Sequence, residues 1–166
     1  MSTGTITING AILTGVPLKK GVTFSTGMRV KLAPDTTTGR LVADVATVDG
    51  TGDFNWVGWV DYPGAVVGKG DTVSTFSGDY QPATVFLRQI NRSFPVVMKS
   101  AFKVGDLVYL GSNGGHTTVV PTPADDHTVN DYLVGVVIHG QCDTVPAAGT
   151  YPMATIAPYI NGVYVM

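Results

Sequence analysis

Apolar and polar residues alternate along this chain in short runs, interrupted too often for long helices. Thr5-Ile6-Thr7-Ile8 alternates with period two, the spacing that sends successive side chains to opposite faces of a strand. Stretches rich in Val, Ile, Thr, Tyr and Phe follow at Met28–Leu32, Leu41–Val48, Trp56–Tyr62, Thr72–Phe76 and Thr84–Ile90. They return at Leu107–Leu110, Thr117–Val120, Tyr132–His139, Met153–Ile156 and Val163–Val165, and each reads as a strand. Turn chemistry separates them: Pro34-Asp35, Asp49-Gly50, Gly114-Gly115, the segment Pro121–Asp126, and Asn161-Gly162. One window competes, because Phe86, Ile90 and Phe94 fall at helical spacing within Ala83–Phe94. The matching stretch Ala154–Ile160 carries Pro158, which opposes a helix, so the window is assigned to a strand running into a turn. The predicted fold is all-β, an antiparallel barrel or sandwich.

The pattern also occurs twice. Phe24-x-x-Gly27-x-x-Val30-x-Leu32 returns as Phe102-x-x-Gly105-x-x-Val108-x-Leu110. Val57-Gly58-Trp59-Val60 returns as Val134-Gly135-Val136-Val137, and Gly78-x-Tyr80-x-x-Ala83-Thr84-Val85 as Gly149-x-Tyr151-x-x-Ala154-Thr155-Ile156. The blocks keep their order while their offset shrinks, as two related β units would if a loop were about six residues shorter in the second. The units are set at residues 24–92 and 102–160, within one β domain spanning 22–166. Residues 1–21, broken by Gly10, Gly15, Pro17 and Gly21, are assigned to an extended N-terminal arm that pairs either with its own sheet or with a neighbour's edge. The repeated glycines read as folding instructions: Gly27 and Gly105 where the chain turns into a strand, Gly58 and Gly135 at a bulge or a close backbone approach.

Composition narrows the function. Charged residues are 13% of the chain, against roughly 25% in ordinary soluble proteins, and mean hydropathy is +0.22. Depleted charge suits a surface covered by neighbours; neutral Thr, Ser, Gly and Asn surfaces on a β protein are the plainer explanation. Net charge is −2, and Lys19-Lys20 is the longest basic run, so no cationic groove for nucleic acid is expected. The longest apolar stretch, Leu133–Ile138, is too short to span a bilayer, and no secretory signal is visible. A single Cys142 allows no internal disulfide, which suits synthesis in a reducing cytoplasm.

Reactive constellations are weak. His139-x-x-Cys142-Asp143 has the residue types of a nucleophile or a metal site, but no second ligand pair accompanies it. Asp125-Asp126-His127 reads most simply as solvated loop residues, and His116 lies in a Gly-rich segment. Gly64–Asp71 lacks phosphate-loop spacing, since Gly70 follows Lys69 where Ser or Thr is required. Asn91-Arg92-Ser93 fits the glycosylation triplet without a secretory context. The expectation is a non-enzymatic protein with no cofactor and no metal.

What remains is contact chemistry. Trp56 and Trp59 fall on opposite faces of one strand, which places one in the core and leaves the other as an exposed anchor; both in the core is the competing arrangement. Arg88 and Arg92 are candidate partners for an acidic neighbour, or solvated strand-end residues. With the arm residues Thr5, Ile6, Ile8 and Ile12, these complete the candidate contact set.

Gly105-Asp106-Leu107-Val108-Tyr109, the Thr117–Val120 strand, Leu133-Val-Gly135-Val-Val-Ile138, a small-residue turn and the closing Ala154-Thr155-Ile156 together resemble the capsid cement or decoration proteins of tailed bacteriophages. The resemblance covers residues 22–160. It departs in the two tryptophans, the longer first unit and the extension Tyr159–Met166. It implies a virion protein on the outer capsid surface, made in the host cytoplasm. It also implies a homotrimer that touches several major capsid protein subunits and stabilises the icosahedral head by many weak footprints. It implies no membrane and no direct nucleic-acid contact. A tail or fibre domain, or a carbohydrate-binding β module using exposed aromatics, is the alternative.

Overall fold

A computed structural model of the chain describes residues 5–47, 54–62, 67–68, 72–90, 92–124, 126–144, 149–160 and 162–164. Thr3, Val48, the Asp49-Gly50 turn, most of Gly64–Asp71, Asn91, Asp125, Asn161 and Val165 lie outside them. The strands of the first half are β1 (Thr7–Asn9), β2 (Ile12–Pro17), β3 (Thr23–Phe24), β4 (Arg29–Pro34), β5 (Leu41–Val45), β6 (Gly58–Asp61), β7 (Val67–Gly68), β8 (Thr72–Ser74), β9 (Phe76–Ser77) and β10 (Pro82–Leu87). Those of the second are β11 (Phe94–Val97), β12 (Leu107–Leu110), β13 (His116–Thr117), β14 (Leu133–His139), β15 (Thr150–Ile160) and β16 (Val163–Tyr164). Helix among the described residues is confined to short 3-10 turns at Ser112–Gly114 and Val129–Tyr132. The fold is all-β and antiparallel.

Strand order in the first half runs β2-β10-β6-β4-β5, and in the second β11-β15-β14-β12-β13. In each, a parallel bridge returns the first strand to the last: Leu18 to Ala43, and Met98 to His116. The backbone hydrogen bonds beside these bridges match, Lys19 N–H to Ala43 O at 3.0 Å and Lys99 N–H to His116 O at 2.7 Å. Each half is thus a small five-stranded barrel closed at one point.

Register agrees as well as order. Val30 opposes Gly58 in barrel one, and Val108 opposes Gly135 in barrel two. Val60 opposes Val85, and Val137 opposes Ile156. Gly27 (φ 86) and Gly105 (φ 94) both take the left-handed conformation a side chain resists, and their N–H groups bond Val60 O and Val137 O at 2.8 and 2.9 Å. A Cβ on Gly58 would collide with the carbonyl of Phe86, and one on Gly135 with that of Ala157, a residue at the same register position. The Val-Gly-x-Val repeat records this close strand approach.

The barrels place their apolar residues equivalently. Val16, Leu18, Phe24, Val30, Val60, Ala83 and Val85 are buried in barrel one; Val96, Met98, Phe102, Val108, Val137, Ala154 and Ile156 are buried at the matching positions of barrel two. The repeat therefore begins one strand earlier than residues 24 and 102. This shortens the N-terminal arm, whose second part takes the expected pairing with its own sheet. Residues 12–17 are a barrel strand, because Leu13, Val16 and the following Leu18 reach the core while the backbone pairs with β10. Only β1 projects as a hairpin edge. The strand expected at Thr117–Val120 stops at Thr117, and Val119 and Val120 are exposed beyond it. The window 83–94 holds strand Pro82–Leu87 and then a turn at Arg88-Gln89.

Candidate functional site

The contact candidates fall in two connected places. The first is the outward ladder that crosses β2, β10, β6 and β4 in register: Ile12 opposite Phe86, Phe86 opposite Trp59, Trp59 opposite Arg29. Trp56 meets Trp59 edge-on at 5.1 Å. The Arg88 guanidinium lies 4.4 Å from the Trp56 ring and donates to the carbonyls of Phe54 and Trp56, both at 3.4 Å. Burial lowers its pKa from the ordinary arginine value, which leaves it a cation under any physiological condition. Arg92 covers the Phe86 ring at 4.8 Å. Ile12, Trp56, Trp59, Arg88 and Arg92 thus belong to one aromatic cluster with a cationic rim.

The second place is the β1 hairpin. Thr5 is exposed, Ile6 packs half-buried on the barrel-one core, and Ile8 is 72% exposed. Among the described residues β1 pairs on one side only, with β2. It is an edge strand presenting open backbone groups and an aliphatic side chain.

An exposed tryptophan anchor is absent. Trp56 is 5% and Trp59 1% exposed, so neither is available to a partner in this fold. The strand carrying Trp59 has no solvent face: Val60 enters barrel one, and Trp59 packs on Phe94 of barrel two at 5.2 Å. Trp59 donates its indole N–H to His116 Nε2 at 3.0 Å, and His116 Nδ1–H donates to Val97 O at 2.8 Å. Burial, then the charge of Arg29, hold the His116 pKa well below the ordinary histidine value; the Val97 hydrogen bond opposes this and Lys99 adds to it. The imidazole is therefore neutral, with its proton on Nδ1. Beside it the buried Arg29 donates to Gly111 O at 2.7 Å and Gly115 O at 3.1 Å.

Arg29 and His116 were not expected as organising residues. A faint signal existed: Arg29 stands where the second copy has Leu107, and His116 stands among glycines that leave carbonyls open to a guanidinium.

Among the described residues, no group of three or more His, Cys, Asp or Glu is placed to hold a metal ion. His139 is exposed, and Cys142 is half-buried with its thiol on Thr144 O at 3.1 Å. His127 stacks on Phe54 at 3.9 Å. A cleft of about 430 Å³ lies between the barrels, lined in part by Thr23, Asp44, Lys99, Asn113 and Tyr151. Within it the Lys99 ammonium sits 3.4 Å from the Tyr151 ring centre. Comparison with family models and with curated proteins finds no match for this chain.

Proposed function

We propose that this protein is a non-enzymatic cement that decorates an icosahedral phage capsid, binding several major capsid subunits and stabilising the shell. The observation that carries this is the uncovered edge of β1, with Ile8 pointing into solvent. An open edge bearing an aliphatic side chain invites strand pairing, and proteins that remain soluble blunt such edges unless a partner covers them. The low charge of the chain, 13%, agrees with a surface meant for neighbours. Arg88 and Arg92 supply a cationic rim suited to an acidic patch on the same partner. The sequence resemblance to phage cement proteins gives that partner its class, and a homotrimer belongs to the same reading.

The test mixes purified protein with expanded heads that lack it. Binding that saturates at a fixed stoichiometry and raises the temperature of head disruption supports the proposal. Heads that neither retain the protein nor gain stability reject it. Ile8→Pro compared with Ile8→Ala separates edge pairing from side-chain contact: both lose the isoleucine, but only proline removes an outward N–H, since Ile8 lies between Thr7 and Asn9, whose backbone groups face β2.

The glycan-binding alternative now rests on the inter-barrel cleft, because both tryptophans are buried. Its volume lies in the range of small-ligand pockets, roughly 300–1,000 Å³. Chemical-shift changes at Thr23, Lys99 and Tyr151 on adding oligosaccharides would favour it.

A further inference from the structure

We infer that the cleft between the barrels is a binding site for a hydroxylated carboxylate of monosaccharide size, a sugar acid, held by its carboxylate on Lys99. The site is independent of the capsid reading, since none of its described lining residues belongs to the β1 hairpin or to the arginine rim.

The two barrels carry one constellation with different charges. Lys19 and Lys99 are equivalent: each follows a bridging residue and donates its N–H to the bridge partner, Ala43 or His116. The next residues after those partners, Asp44 and Thr117, oppose Lys31 and Tyr109 at matching register. Counting forward from Val30 and Val108, Asp35 coincides with Asn113. Counting back from Val85 and Ile156, Tyr80 coincides with Tyr151.

In barrel one the lysine is neutralised. Its ammonium bonds Asp44 at 2.7 Å, and the Tyr80 hydroxyl bonds Asp35 at 3.2 Å. In barrel two the lysine and the tyrosine are kept while both acids are replaced, Asp44 by Thr117 and Asp35 by Asn113. Among the described residues the Lys99 ammonium meets no carboxylate; it rests on the Tyr151 ring at 3.4 Å. Cation–π contact attracts the charge but occupies none of the three N–H donors with a strong acceptor. The Lys99 stem lies along Gly115 and the residue is half-buried, so its charge is presented to the cleft. A ligand carboxylate would supply the charge-assisted hydrogen bond that Asp44 gives Lys19.

The remaining lining fixes the ligand class. Thr23 and Thr75 bring hydroxyls and Asn113 an amide. Asp44 also faces the cleft, held by Lys19 and by the Val45 N–H at 2.9 Å. Its charge opposes a second negative charge on the ligand, which disfavours phosphate. Because Lys19 already balances it, Asp44 makes no demand for a ligand ammonium, which disfavours amino acids. A carboxylate with two hydrogen bonds still has lone pairs for hydroxyl groups. One negative charge and several hydroxyls therefore match the site, and about 430 Å³ is ample for a sugar ring.

The experiment titrates the full chain with sodium glucuronate and, at equal ionic strength, with glucose, inorganic phosphate and glycine, read by nuclear magnetic resonance at Lys99 and Tyr151. Glucuronate should saturate with a Kd of about 1 mM. The Lys99 ε-methylene protons, shielded by the Tyr151 ring in the free protein, should move downfield as the ammonium turns to the ligand. The other three compounds should bind about tenfold more weakly or worse, because each lacks the lone carboxylate or the hydroxyls. Lys99→Met keeps the stem on Gly115 and removes the charge, and should weaken glucuronate about tenfold or more. Thr117→Asp gives Lys99 the carboxylate that Lys19 has, and should do the same with Lys99 still in place. Near-ultraviolet circular dichroism of the buried tryptophans should be unchanged in both. No saturable shift up to about 20 mM glucuronate, equal binding of any of the other compounds, or wild-type binding by either variant would overturn the inference. If Lys99→Met fails to fold, Thr117→Asp alone decides.

Discussion

Trp59 and His116 are joined across the two barrels by one hydrogen bond, indole Nε1–H to imidazole Nε2 at 3.0 Å, in a site where both side chains are buried. The bond fixes the tautomer, because Nε2 can accept only if the proton resides on Nδ1, where Val97 O receives it. Trp59→Phe removes the donor and leaves a buried acceptor unsatisfied. The expected loss is about 1–3 kcal/mol in urea unfolding. The imidazole nitrogen shifts of the wild type should report an Nδ1–H tautomer; an Nε2–H signal would contradict the contact.

The same pair predicts a pH dependence. The folded-state pKa of His116 lies well below 6.5. Between that value and 6.5 the unfolded chain binds a proton that the folded chain refuses. Stability is therefore complete above about pH 6.5 and falls as pH drops below it, by up to about 1.4 kcal/mol per unit, until the folded-state value is reached. Asp35 and Asp131 are held below the ordinary carboxylate value by bonds from Thr38 and Thr128, so their contributions are lost at lower pH. Urea midpoints between pH 7.5 and about 5 should decline in the wild type. They should decline less in His116→Gln.

Glycine replacements should divide by environment. Gly58→Ala and Gly135→Ala force a methyl group into an opposing backbone carbonyl and should each cost about 2–4 kcal/mol. Gly39 has nothing within 4 Å of an added Cβ and only its positive φ to oppose alanine, so Gly39→Ala should cost about 1 kcal/mol. Thermal unfolding of the three variants decides this.

The N-terminal segment should behave as two pieces. Removing residues 1–10 takes away an edge hairpin; the barrels should still fold, and retention on heads should drop. Leu18→Ala and Met98→Ala open cavities at equivalent, fully buried positions, and each should cost about 2–5 kcal/mol. A hairpin deletion that unfolds the protein would mean that β1 belongs to the core.

Arg88→Ala and Arg92→Ala should leave the fold intact, each losing about 0.5–1 kcal/mol of stacking on Trp56 or Phe86. Binding to heads should weaken and become less sensitive to salt. Unchanged binding and salt dependence would remove the arginines from the contact.

By itself the sequence determined the all-β class, the paired glycines and the positions of most strands, because these follow from local rules. Period-two alternation marks a half-buried strand. A glycine marks a backbone that no side chain tolerates, and its recurrence at Gly27 and Gly105, Gly58 and Gly135, marks equivalent places. β2 and β11 stayed hidden, since Gly15, Pro17 and Pro95 resemble turn residues and the spacing to Phe24 and Phe102 differs between copies. Only the tertiary structure decided which faces are buried. Trp59 and Val136 stand at one register position of one barrel design, yet the first is covered by a neighbouring barrel and the second is not. Burial of an outward face is a property of what packs against it, and for Arg29, Trp59 and His116 that neighbour lies in the other half of the chain.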